Sequence, residues 1–229
     1  MLVSRIKINI FELDNTTGVI SYPICEQEYG TGCDRTTFAY AQRHPRYTMN
    51  ETVFLDNDFA LVFIPNDITD IKPVELNTNL TFPSDGVEME IFGWGDTDGT
   101  GNMDLPNVPY TADVVIMPRD KCTSLFDVDD GKVISENQVC TRNDGKATGA
   151  GDSGWFTLSI SIPLCTLLLC LNSQLQYTSS TNHHYLGGPL IHIFPDGSSV
   201  QIGITSFGFI SGKPYSATTF ACCLDEDAN

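Results

Sequence analysis

Residues 151–154 read Gly-Asp-Ser-Gly, and residues 187–191 read Gly-Gly-Pro-Leu-Ile. Joined across the intervening stretch they give Gly-Asp-Ser-Gly-Gly-Pro-Leu-Ile. Removing 33 residues, either 154–186 or 155–187, restores the same segment, because glycine stands at both junctions. Thirty-three residues is a whole number of codons, so an unspliced intron read in frame would produce this pattern, and 154–186 is expected to be an insertion of that kind or a gene-model error. The stretch is also a compositional anomaly. Gly154 to Leu171 is nearly uncharged and apolar and contains Leu167-Leu168-Leu169. A membrane span is the competing explanation, but Pro163, several Ser and Thr, the short length and the lack of a basic flank speak against it. A genuine surface loop would call for a disulfide such as Cys165–Cys170 and would leave Leu167 to Leu169 exposed. Read literally, the insert follows Ser153 directly and is expected to distort the turn that carries it.

At 229 residues the chain can bury an ordinary core, as one β domain or two modules. Lys and Arg number 12 against 29 Asp and Glu, a net charge of -17 that repels nucleic acid and anionic membrane. Eight cysteines and three sequons, at Asn15, Asn50 and Asn79, fit an oxidising, extracytoplasmic setting. Secretion is therefore expected. The first ten residues alternate polar and apolar like a strand and lack the unbroken apolar centre of a signal peptide.

The dominant periodicity is two. Short β-branched runs, Arg5 to Phe11, Val53 to Ile64, Val87 to Phe92, Ala112 to Met117 and Val200 to Phe207, are separated by Gly, Asn and Asp clusters. No segment shows a sustained helical stripe. Short strands at this spacing predict an all-β chain of antiparallel barrels or sandwiches. The polar, proline-containing stretch from about Lys72 to Asp85 is the candidate linker. It divides the chain into a first module over 1–75, a linker over 76–86 and a second module over 87–229 that contains the 154–186 insertion.

The restored segment resembles the nucleophile segment of the trypsin-like serine proteases. Asp56-Asn57-Asp58-Phe59-Ala60-Leu61-Val62 resembles that family's Asn-Asp-Ile-Ala-Leu segment, with Asp58 at the triad aspartate. Gly93-Trp94-Gly95 resembles its Gly-Trp-Gly. Cys122 and Cys140 flank a stretch like its second-barrel disulfide loop. Thr205-Ser206-Phe207-Gly208 resembles the segment that pairs with bound substrate and positions the aspartate. The matches occur in the family's order and cover roughly residues 3 to 210 outside the interruption. They imply a double antiparallel β-barrel, with the first barrel incomplete at its N-terminus.

The resemblance also implies roles. Ser153 would attack the scissile carbonyl, and the backbone N–H groups of Gly151 and Ser153 would form the oxyanion hole, with glycine at 151 permitting the turn. Asp58 would orient the histidine base. Asp152 would be structural, its usual partner being a new N-terminal amine, although no Ile-Val-Gly-Gly-like start occurs in the sequence. Ser206, Phe207 and Gly208 would contact substrate. So would Ala147, six before the serine, where trypsins proper carry an acidic group, so a preference for Arg or Lys is in doubt. Asp144 would reach the pocket only in a shifted loop, and Gly149 replaces a usual cysteine.

The family's Ala-Ala-His-Cys segment, the source of the base, has no counterpart in these 229 residues. His44, in Arg43-His44-Pro45, falls where the family often carries a His-Pro pair on a surface strand and is expected to be structural. His183 and His184 lie within the interruption, and His192 follows the restored segment on an expected strand. Because Arg5 to Phe11 resembles the strand after the histidine loop, Met1 is expected to be an internal methionine. After Gly212 the resemblance fades, and Cys222-Cys223 has no counterpart to the family's C-terminal helix.

Asp96, Asp98 and Asp104 fail the spacing of a calcium loop and lack its terminal glutamate, so a solvated loop is expected there. Cys25 and Cys33 close a small loop or stand free. The resemblance implies peptide-bond hydrolysis through an acyl-enzyme, with no metal or organic cofactor, on a polypeptide substrate or against a protease inhibitor. The alternative is a catalytically dead homologue that binds peptides or proteins in the same cleft. With no base in the sequence, the 229-residue chain is expected to show at most trace activity.

Overall fold

Met89 and Ile91, two apart, and Val114 and Ile116, two apart, turn to one interior, as the period-two reading of Val87 to Phe92 and Ala112 to Met117 requires. The computed structural model describes residues 6–9, 19–22, 34–37, 40–47, 56–58, 60–68, 73–93, 109–130, 133–143, 155–159, 166–169, 188–209 and 216–222. In chain order the elements are β1 (Ile6–Asn9), β2 (Val19–Tyr22), β3 (Asp34–Thr37), β4 (Tyr40–Arg43), β5 (Ala60–Phe63), β6 (Glu75–Leu76), β7 (Glu88–Gly93), β8 (Tyr110–Met117), α1 (Arg119–Asp130), β9 (Gln138–Asn143), β10 (Trp155–Ser159), β11 (Thr166–Leu169), β12 (Pro189–Ile193), β13 (Ser199–Phe209) and β14 (Ser216–Cys222). The strands dominate, as the all-β expectation has it.

The second sheet closes on itself. β12 pairs with β7, β7 with β8, β8 with β9, β9 with β14, β14 with β13, and β13 returns to β12, every pairing antiparallel. Closure removes the free edges that an open sheet would expose. Opposed pairs such as Met89 with Val114 and Ile91 with Leu190 place their side chains in one cluster with Ile116 and Ile202. Burying this cluster stabilises the ring at about 25 cal/mol per Å² of apolar surface removed from water.

The first sheet is open among the described residues, in the order β3-β2-β1-β10-β11-β5-β4. β10 and β11 come from the 154–186 stretch. Rather than standing with the second module, they lie between β1 and β5, with Ile6 opposite Phe156 and Leu167 opposite Val62. Trp155, Phe156, Thr157 and Thr166 are residue types that favour strands, and pairing on both sides gives the backbone of Thr166–Leu169 hydrogen-bond partners.

A helix departs from the sequence expectations. α1 carries no continuous apolar stripe, since Leu125 is exposed beside polar residues and Cys122 is the one fully buried side chain described in its first turns. Its start is defined by Pro118, whose carbonyl accepts from Cys122 N–H at 3.0 Å, and it is tied to β9 by the Cys122–Cys140 disulfide that the resemblance implied. Arg119 adds bonds from its guanidinium to the carbonyls of Glu136 (3.1 Å) and Gln138 (3.3 Å). Beyond Gly212, where the resemblance fades, β14 is an interior strand between β9 and β13.

The linker stretch is held against the second sheet. β6 pairs in parallel with β13, and Asn77 N–H donates to the Gln201 carbonyl at 2.9 Å. At the β12–β13 turn, Asp196 accepts from the Ser198 hydroxyl (2.7 Å) and N–H (2.9 Å), and these bonds hold its carboxyl below the usual aspartate value. Leu190 is fully buried at the ring's centre, so Leu190→Ala is expected to cost about 2–5 kcal/mol in urea unfolding. A loss under about 1 kcal/mol would contradict this placement of the core.

Candidate active site

Asn57 has φ of +52°, a left-handed conformation that asparagine tolerates and β-branched residues resist. The kink interrupts the apolar run from Val53 to Ile64, so that β5 begins only at Ala60. Two bonds hold it: Asn57 N–H donates to Asp56 Oδ1 at 3.1 Å, and its Nδ2 donates to the Arg46 carbonyl at 3.1 Å. The turn delivers Asp58 to the interior, where it is 1% exposed.

There the Ser206 hydroxyl donates to Asp58 Oδ2 at 2.6 Å, between residues 148 apart in sequence. Ser206 is itself fully buried on β13. A buried carboxylate is costly unless it accepts hydrogen bonds, and a bond to a charged acceptor contributes about 1.5–3 kcal/mol net. The contact therefore holds the start of β5 against β13.

A second tie crosses beside it. Ser135 Oγ donates to Asp56 Oδ1 at 2.6 Å, while Asn137 Nδ2 lies 3.4 Å from Asp56 Oδ1 and 3.3 Å from Asn57 Oδ1. Ser135 N–H is held in turn by Gln138 Oε1 at 3.0 Å. The loop leading into β9 thus grips the turn that aims Asp58.

On the other side of Ser206, Thr205 donates both its N–H and its hydroxyl to the Gly188 carbonyl, each at 2.8 Å. A Cβ at position 188 would run into the Phe92 carbonyl oxygen, so glycine is required for β12 to approach β7 this closely. Gly188 is two positions after Ser153 in the restored segment. The downstream half of that segment, Thr205, Ser206 and Asp58 therefore form one continuous set of contacts.

Gly151, Asp152, Ser153, Ala147, Asp144 and Gly149 lie outside the described residues. So do Trp94, Asp96, Asp98, Asp104, His183, His184, Cys25, Cys33, Cys165 and Cys170. Phe207 and Gly208 continue β13, opposite Thr219 and Thr218. His44 sits in the turn after β4, where its Nδ1 accepts from Arg46 N–H at 3.3 Å. The His192 Nδ1 lies 3.0 Å from the Glu88 carbonyl, and the ring meets Phe82 and Phe194 edge-on. Among the described residues no three His, Cys, Asp or Glu side chains gather as a metal site, and no helix is long and apolar enough to cross a membrane.

The Trypsin family model matches residues 25–154, more than half of the chain. The chain belongs to the trypsin family. At the level of the family this carries serine-type endopeptidase chemistry. A fibrinolytic enzyme, isozyme C, of Lumbricus rubellus is 31% identical over 118 residues, covering 47% of this chain and 48% of that enzyme. The chain thus spans about half the length of this curated relative. The trypsin-family match contains Asp58 and Ser153 and ends at Gly154, where the restored segment is interrupted.

The sequence singles out Asp58 and Ser206, which the structure brings into contact, but not the bonds that Ser135 and Asn137 make to Asp56 and Asn57. The available signal was Asp-Asn-Asp ahead of an apolar run, a turn-forming cluster in which asparagine supplies the left-handed residue. Ser135→Ala removes the donor to Asp56 and is expected to lower stability by about 1–3 kcal/mol in denaturant unfolding. An unchanged midpoint would show that this tie does not restrain the turn.

Proposed function

We propose that this protein is a secreted serine endopeptidase of the trypsin family, in which Ser153 is the nucleophile and Asp58 the residue that orients the base. The observation that carries this reading is the 2.6 Å bond from Ser206 to the buried Asp58, next to the contact between Thr205 and Gly188. It brings a carboxylate from the first half of the chain to the strand that follows the interrupted nucleophile segment.

In the reaction, Ser153 Oγ gives its proton to a base and adds to the scissile carbonyl, the C–N bond breaks as the amine takes that proton and leaves an acyl-enzyme, and water then hydrolyses the ester. The tetrahedral intermediates place negative charge on the former carbonyl oxygen, and the N–H groups of Gly151 and Ser153 are the donors proposed for it. A serine hydroxyl does not act at neutral pH without a base. The base in this family is a histidine, and no residue in this sequence stands in its segment. Asp58, held by Ser206, is ready to fix the tautomer and orientation of such an imidazole. Ala147 and the Ser206–Gly208 segment are the proposed substrate contacts, and Asp152 is assigned a structural role.

A second reading of the same cleft is a non-catalytic homologue that holds peptides or inhibitors there. The two differ in one readout. A chain supplied with the family's histidine segment and lacking 154–186 is expected to react with a fluorophosphonate at Ser153 and to lose the label in Ser153→Ala. The 229-residue chain is expected to label at least about 100-fold more slowly, since positioned general-base catalysis is worth roughly 10²–10⁴. Equal labelling of both chains, or none in the chain that carries the histidine segment, would overturn the peptidase reading.

A further inference from the structure

Of the three sequons, Asn15 and Asn50 lie outside the described residues, whereas Asn79-Leu80-Thr81 is fully described and exposed, in the stretch held against the second sheet. Its backbone is fixed from beneath. Asn77, 7% exposed, donates from Nδ2 to the carbonyls of Asn79 (3.1 Å) and Phe82 (2.7 Å), and its Oδ1 accepts from Asn79 N–H at 3.1 Å. The Phe82 N–H also donates to the Asn79 carbonyl, at 3.0 Å. β6, immediately before, is paired with β13.

The side chains of the sequon face one another. Asn79 Oδ1 accepts from Thr81 N–H at 3.0 Å and from the Thr81 hydroxyl at 2.8 Å. Asn79 Nδ2 makes no hydrogen bond among the described residues. Two donors on Oδ1 polarise the carboxamide and favour loss of a proton from Nδ2, the atom left to solvent. Leu80, between them, is 65% exposed, so a bulky substituent at Asn79 displaces no packed side chain of the sequon.

We infer that Asn79 is a site of N-linked glycosylation, with a polyprenyl-diphosphate-linked oligosaccharide as donor. Asn79 Nδ2 displaces the diphosphate from the anomeric carbon of the sugar. The N–C bond forms as the C–O bond breaks, the diphosphate departs with the bonding pair, and the amide gives up one proton. The inference rests on the extracytoplasmic setting proposed above but not on peptidase activity.

The test is translation of the full chain behind a cleavable secretory leader into microsomes, with only the protease-protected fraction analysed by peptide mass spectrometry. Restricting analysis to that fraction separates failure of the site from failure of the location. Asn79 is expected to carry a glycan that glycosidase treatment removes, leaving aspartate. Asn79→Gln and Thr81→Val are expected each to lose it, and Thr81→Ser to retain it. Protected chains with unmodified Asn79, or with Thr81→Val still modified there, would overturn the inference.

Discussion

A carboxylate that is buried must be hydrogen-bonded, and here that requirement ties two halves of the chain together. Asp58 is delivered to the interior by a turn that β5 cannot begin without, and its Oδ2 is met by Ser206 at 2.6 Å. Both partners are almost completely withdrawn from solvent. Their backbones are brought to the right separation by β13, which carries Ser206, and by the turn ahead of β5, which carries Asp58.

That precision comes from the closed ring. β13 is flanked by β12 and β14, and β12 is seated between β13 and β7, with Leu190 and Ile191 wholly buried. Gly188 sets the start of β12 because anything larger meets the Phe92 backbone. On the opposite flank, the Cys122–Cys140 disulfide and Arg119 hold α1 and the loop before β9, the loop from which Ser135 and Asn137 reach Asp56 and Asn57. The ring therefore fixes Ser206, and its neighbouring loop fixes the turn that aims Asp58. The family's chemistry needs such rigidity, since an aspartate that orients a base acts only from one position.

Much of this was legible in the residues. The alternation in Val87 to Phe92 and Ala112 to Met117 predicted paired strands, and the Asp56–Val62 and Thr205–Gly208 segments marked the carboxylate and its serine. α1 was not legible, because helices betray themselves by an apolar stripe and this one buries Cys122 while leaving Leu125 exposed among polar residues in its first turns. The placement of β10 and β11 in the first sheet was not legible either. Strand pairing between distant segments is decided by which edges are left unpaired, which local periodicity does not record. The grip of Ser135 and Asn137 on the Asp56–Asn57 turn likewise depends on contacts about 80 residues apart in sequence.

The most direct test of this account is a double-mutant cycle between Asp58 and Ser206. The unfolding free energies of the wild type, Asp58→Asn, Ser206→Ala and the double variant give the coupling between the two side chains. A direct hydrogen bond to a buried carboxylate predicts a coupling of about 1–3 kcal/mol. Additivity within about 0.3 kcal/mol would contradict the contact and, with it, the geometry on which the catalytic assignment stands.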